Sequence, residues 1–178
     1  MATTGNAANF GDLSVARYET GCVGNFTRSI WAGGKSIVNV IDYVNPTTTG
    51  NAADFGDLTV ARKKTNLGAS NSTKGLFGGG ETPTASDVID YITMSSTGNA
   101  IDFGNLLAVN NGVAGVASPT RAIWMGGTTP STTNVIQFVE IDTQGNAVDF
   151  GDLATATQNG SCSSSSTRAV LNLSLIHI

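Results

Sequence analysis

The chain has 178 residues, of which 12% are charged, with 9 Lys and Arg against 13 Asp and Glu and a net charge of −4. So sparse a basic content argues against a nucleic-acid partner, which needs a dense positive surface to displace counterions. No apolar run approaches the roughly 18 residues that span a bilayer as a helix, so no membrane span is expected, and the length suits one ordinary domain.

The first recognisable stretch is Gly-Asn-Ala-x-Asp-Phe-Gly-Asp-Leu, at residues 5–13 with Asn9 in place of the first Asp. It returns at 50–58, at 98–106 with Asn105 for the second Asp, and at 145–153, at intervals of 45, 48 and 47 residues. Spacing that regular marks a repeat architecture. After each copy comes a small-residue run, as at 20–24 and 112–117. Next is Thr-Arg or Thr-Lys with an apolar run closing on Gly-Gly, at 27–34, 73–80 and 120–127. A β-branched run ends the unit, at 40–44, 88–92 and 135–139.

Each segment is four to eight residues long, bounded by Gly, Pro, Asn or Ser and rich in Val, Ile, Thr and aromatics, which are strand signals. No window sustains a capped helical period. The fold class is therefore all-β. Four antiparallel strands, here a to d, in a unit of 45–48 residues match one blade of a β-propeller. The phase reads as strand d over 1–17, complete units over 18–62, 63–109 and 110–157, and an ab hairpin over 158–172. Consecutive apolar residues such as Val40 and Ile41 blur the alternation, as expected of sheets buried on both faces.

An Arg, a small-residue strand, an apolar strand ending Gly-Gly, then an acidic residue beside Tyr: this order resembles the kelch-type propeller repeat. Phe10, Phe55, Phe103 and Phe150 stand where kelch repeats usually carry Trp. The wording Thr-Gly-Asn-Ala-x-Asp-Phe-Gly-Asp-Leu is also similar to kelch-like proteins of marine tailed phages. Propellers close with four to eight blades, so a longer array is expected. Met1 aligns with Met94, as if the chain opened within a repeat, and no signal peptide is visible. Residues 173–178, Leu-Ser-Leu-Ile-His-Ile, resemble a translated sequencing adapter and are expected to be foreign to the fold.

Candidate chemistry is thin. Three Asp-Phe-Gly triplets, beginning at Asp54, Asp102 and Asp149, imitate a kinase magnesium motif without its companions, and fit turns better. A calcium loop needs several oxygens in one short segment, whereas these acids are spread one or two per unit. The only histidine, His177, lies in the adapter-like tail, so a copper oxidase of the galactose-oxidase kind and a Ser-His-Asp hydrolase both lack their histidine. Sialidase aspartate boxes are not found. No catalytic residue, metal ligand or cofactor is expected. Cys22 and Cys162 align on the innermost strand and read as small residues in a crowded place. Arg28, Lys74, Arg121 and Arg168 recur at the a–b turn, where a solvated basic ring is expected.

One change is concerted. Arg17 precedes Asp42 and Arg62 precedes Asp90, each by one abc segment, while the third unit has Asn110 and Gln137. Because an unpaired buried charge is costly, Arg17 with Asp42 and Arg62 with Asp90 are expected to pair between adjacent blades.

The expected function is a non-enzymatic propeller module of a phage virion or tail protein, structural or binding a host-surface glycan or protein alongside other virion proteins. A fragment of a secreted or surface enzyme with its catalytic residues elsewhere, and a cellular kelch adaptor, are the alternatives. Length varies mostly in the b–c loops, which points to that face: Glu81, Thr82, Pro83 and Thr84 in one unit, Thr128, Thr129, Pro130 and Ser131 in the next.

Overall fold

The computed structural model describes residues 5–65 and 68–172, and the adapter-like tail lies outside them. Every regular element among the described residues is a β-strand and every pairing is antiparallel. No helix there is long and apolar enough to cross a membrane.

The first sheet is the meander β1 (Gly21–Gly24), β2 (Ser29–Ala32), β3 (Val40–Val44) and β4 (Ala53–Asp57), each strand beside its sequence neighbour. The second contains β5 (Ala69–Ser70), β6 (Lys74–Gly78), β8 (Thr84–Thr93) and β9 (Ile101–Asn110), with the short β7 (Glu81–Thr82) folded back on the start of β8. The third repeats the meander with β10 (Ala114–Ala117), β11 (Arg121–Met125), β12 (Val135–Glu140) and β13 (Val148–Asp152). A hairpin of β14 (Ser161–Ser164) and β15 (Ala169–Asn172) follows. The register slips at the same place between the third and fourth strands of each sheet, at Ile41/Asp42, Ile89/Asp90 and Ile136/Gln137, and in the second sheet a further time at Ser86/Val88. The bulge at the shared place bends the strand, and it always falls beside the Asp or Gln of the concerted pair.

Residues 5–17 form no strand, since no third strand precedes them among the described residues. They are held instead from the other side, by backbone bonds to residues 50–52.

The core lies between sheets. One cluster joins Ile30, Ile41 and Phe55 of the first sheet to Phe77, Ile92 and Met94 of the second. Another joins Leu76, Ile89 and Phe103 of the second to Trp124, Val139 and Ile141 of the third. Successive residues of β6 thus enter different cores, Leu76 one and Phe77 the other. A sheet covered on both faces has no reason to alternate apolar with polar. Trp124 is fully buried, and Gly78 makes room for it: a Cβ there would meet the indole at 2.8 Å.

Candidate functional site

The four a–b turns share one construction. Asn25 Oδ1 accepts from the backbone N–H of Thr27 and Arg28, both at 2.9 Å, and Asn71 Oδ1 does the same for Thr73 and Lys74 at 2.9 and 2.8 Å. Ser118 Oγ accepts from Thr120 and Arg121, and Ser165 Oγ from Thr167 and Arg168. Such side-chain turns mimic a backbone turn and hold the loop in one conformation. They put Phe26, Ser72, Pro119 and Ser166 at equivalent tips.

Neighbouring turns are tied together. Asn25 Nδ2 donates to the Ser72 carbonyl at 3.0 Å and Asn71 Nδ2 to the Pro119 carbonyl at 2.9 Å. A second tie comes from the strand before the turn: Ser70 Oγ donates to the Gly24 carbonyl at 3.1 Å and Ser164 Oγ to the Ala117 carbonyl at 2.8 Å, the latter at a junction where serine stands in place of the asparagine. The four tips surround one depression of about 630 Å³, lined by residues 24–26, 70–72, 117–119 and 164–166. Its polar groups are hydroxyls, amides and carbonyls. On its rim Phe26 is 95% exposed, an apolar ring with nothing over it.

Of the four cations expected to form a solvated ring after these turns, Arg121 and Arg168 are exposed, whereas Arg28 and Lys74 are half-buried and engaged within the fold. Arg28 lies over the Tyr43 ring at 4.8 Å and donates to the Met94 carbonyl at 2.9 Å. Lys74 lies over Tyr91 at 5.5 Å and donates to the Ile141 carbonyl at 2.9 Å. Each cation leaves a ring of its own sheet to cap a carbonyl of the next, where cation–π attraction and a charge-assisted bond act together. Arg121 lies over Phe138 and turns to Glu140 of its own sheet at 2.7 Å. The rings beneath are themselves in edge-to-face pairs, Tyr43 with Phe55, Tyr91 with Phe103 and Phe138 with Phe150, at 5.8–5.9 Å.

The concerted pairs sit deeper. Arg17 Nη2 is 2.9 Å from Asp42 and Arg62 Nη1 is 2.8 Å from Asp90, with all four side chains essentially sealed from solvent. Arg62 follows the last strand of the first sheet while Asp90 lies in β8 of the second, so this pair crosses the sheet junction. Burial pushes the Arg62 guanidinium down, and Asp90 counters it. Ser14 Oγ and Thr59 Oγ1 add bonds to the two carboxylates at 2.6 and 2.5 Å. At the third junction Gln137 Oε1 accepts the Leu107 N–H at 2.8 Å and Asn110 Nδ2 donates to the Gly126 carbonyl at 3.0 Å. The first reproduces what Asp42 does for the Ser14 N–H, and the second what Arg62 does for the Phe77 carbonyl. The charges vanish together while the hydrogen bonds stay.

On the opposite face, the b–c residues are partly occupied. Glu81 carries Lys63 and Lys64 on its two carboxylate oxygens at 3.0 and 2.8 Å, and Lys64 first, then Lys63, hold it below the usual carboxylate range. Thr82 pairs with Thr84 around Pro83 in a tight hairpin. Thr128 bridges to Asn111 and bonds Gln158 through its hydroxyl, and the Thr129 N–H donates to the Ser131 carbonyl at 2.9 Å around Pro130. Pro83, Thr84, Pro130 and Ser131 remain exposed at the tips.

Cys162 donates to the Gly115 carbonyl at 3.1 Å; burial, with a smaller push from Cys22, raises its thiol to about 11. Both cysteines are free. Among the described residues no three His, Cys, Asp or Glu side chains gather as metal ligands would.

Reading the sequence for varied loop length passed over Phe26. The signal was there, since the equivalent positions hold Ser72, Pro119 and Ser166 and only one repeat spends a large apolar side chain on a turn tip. No protein-family model and no curated protein matches the chain.

Proposed function

We propose that this chain is a run of kelch-type propeller blades serving as a non-catalytic binding module in a phage virion or tail, with a cell-surface glycan as its ligand. Three sheets stacked face to face in chain order, with the inner hairpins converging on one mouth, support the propeller reading. The virion setting rests on the wording of the repeat.

The observation that carries the ligand is the mouth itself. A pyranose offers an apolar C–H face and a rim of hydroxyls. Phe26 supplies a flat apolar surface, and Ser70, Ser72, Ser164 and Ser166 with the turn carbonyls supply donors and acceptors. Concave sites with few placed polar groups are where small ligands bind, and an aromatic ring left bare at the rim of such a hollow offers its face for stacking. The rigid turns lower the ordering cost of binding. These features favour the a–b mouth over the b–c face, whose Glu81 and Thr128 are engaged within the fold.

The test is binding of the full chain to immobilised bacterial surface polysaccharides and to host cells. Phe26→Ser, which copies the second repeat, should weaken binding at least tenfold and leave the unfolding midpoint unchanged. Removing the exposed b–c hydroxyls, with Thr84→Ala and Ser131→Ala, should leave binding intact. Loss on that double substitution with Phe26→Ser silent would move the site to the b–c face. Mass spectrometry of purified particles tests the virion setting.

A further inference from the structure

The hollow at the a–b mouth holds nothing that would pair with a negative charge. None of the residues lining it is ionisable. The cations that follow the turns are drawn elsewhere: Arg28 to the Tyr43 ring and the Met94 carbonyl, Lys74 to the Tyr91 ring and the Ile141 carbonyl, Arg121 to the Phe138 ring and Glu140. None of those partners belongs to the lining, and Arg168 lies outside it as well.

A turn can hold an anion without any cation, by aiming successive backbone N–H groups at it. In these turns the groups are already spent. The N–H of the first residue, Asn25, Asn71, Ser118 or Ser165, donates across the turn to the carbonyl of Arg28, Lys74, Arg121 or Arg168 at 2.8–3.1 Å. Those of the third and fourth residues donate to the side-chain oxygen of the first. At most one N–H per turn remains, on the tip residue, and Pro119 has none.

The hydroxyls of the walls are committed in the same sense. Ser70 Oγ donates its proton to the Gly24 carbonyl at 3.1 Å, and Ser164 Oγ to the Ala117 carbonyl at 2.8 Å. A hydroxyl has a single proton, so each offers a ligand only lone pairs. Asn25 and Asn71 have likewise placed an amide N–H on the Ser72 and Pro119 carbonyls. Around Phe26 the hollow therefore presents mostly acceptors. A sugar hydroxyl donates to them. An ionised carboxylate only accepts, as does a sulfate, and brought against these oxygens it gives up hydration without gaining a donor.

We propose that the mouth selects uncharged glycans, and rejects sugars that bring a carboxylate or sulfate to the contact. This selectivity rests on the mouth being the glycan site proposed above. Phe26 stacks on the C–H face of either kind of ring and sets the strength of binding, while the turns set the discrimination. Rejection of this sort works by leaving the wrong ligand's polar groups unpaired. Because no charged pair forms, binding should also be insensitive to salt.

The test is binding of the full chain to immobilised polygalacturonate, polyglucuronate and acidic bacterial surface polysaccharides, each before and after reduction of its carboxylates to hydroxymethyl groups. The reduced polymers should bind at least tenfold more tightly than the acids, with an affinity that changes less than twofold between about 50 and 500 mM NaCl. Ser72→Lys and Ser166→Lys each put an ammonium on the rim at an exposed position, and each should raise the affinity for the acidic polymers at least tenfold. Two sites for the lysine keep this arm open if one variant fails to fold. Acids that bind as tightly as their reduced forms, with Phe26→Ser weakening both, would overturn the selectivity and leave the mouth a glycan site. Absence of binding to every polymer, or binding that Phe26→Ser leaves untouched, would defeat the glycan reading itself and the selectivity with it.

Discussion

Arg62 and Asp90 offer the sharpest test of what joins one sheet to the next. Asp90→Gln leaves the buried guanidinium without its counter-charge, and removing one partner of a sealed pair costs about 3–5 kcal/mol. At this chain length that lowers the midpoint by roughly 6–20 °C. Arg62→Asn strands the carboxylate instead and should cost a similar amount. The third junction shows how to lose both charges: Asn110 and Gln137 keep a bond to the Gly126 carbonyl and one from the Leu107 N–H. The double variant Arg62→Asn with Asp90→Gln should therefore be more stable than Arg62→Asn alone, with a coupling of about 2–3 kcal/mol. Equilibrium urea unfolding followed by Trp31 and Trp124 fluorescence and by far-ultraviolet circular dichroism measures all of these, and coincident transitions verify that one free energy applies. Costs that add to within about 0.5 kcal/mol would refute the reasoning, because the two side chains would then contribute independently.

The bonds that Gly-Asn-Ala of one unit makes to Phe-Gly-Asp of the preceding unit predict a contrast among equivalent glycines. Gly56→Ala and Gly104→Ala combine a positive φ with an approach near 2.3 Å to the carbonyl oxygen of Gly98 or Gly145, and should cost about 1–3 kcal/mol more than Gly151→Ala, which has the φ alone. Equal costs in thermal unfolding would mean the neighbouring backbone simply moves aside. Cys162, with its thiol raised to about 11, should in a Cys22→Ser background react with iodoacetamide roughly tenfold faster per pH unit between pH 8 and 10. A rate already levelling near pH 9 would contradict its burial. Glu81 titrates below its unfolded value, so its contribution is present above the ordinary Glu pKa of about 4.3 and lost as pH falls through the lowered one. Glu81→Gln should make the acid limb of the stability profile shallower there while moving the midpoint little at pH 7, and an unchanged limb would show that the two lysines do not act on it.

The repeat period, the strand content and the partnership of Arg17 with Asp42 and Arg62 with Asp90 were all legible in the sequence, because each leaves a trace that recurs. Strands announce themselves through β-branched runs between turn residues. The pairs announced themselves through a joint disappearance at Asn110 and Gln137. The carbonyl partners of Arg28 and Lys74 left no such trace: Met94 and Ile141 accept through their backbone, and any residue can stand there. Phe26 was visible as an outlier in its column, but its meaning came only when four turns met around it.

What the sequence by itself determined is the local and the periodic: antiparallel strands, their grouping in fours, and a stretch so faithfully repeated that it had to do the same work each time. Only the tertiary structure decided what that work is. Gly-Asn-Ala and Phe-Gly-Asp sit side by side in one motif yet never engage each other. Each bonds the complementary half some 40 residues away, through one asparagine side chain and otherwise through backbone atoms that carry no residue identity. The glycine is needed because a carbonyl oxygen from the adjoining unit occupies the space of its Cβ, and that approach exists only once two units are packed.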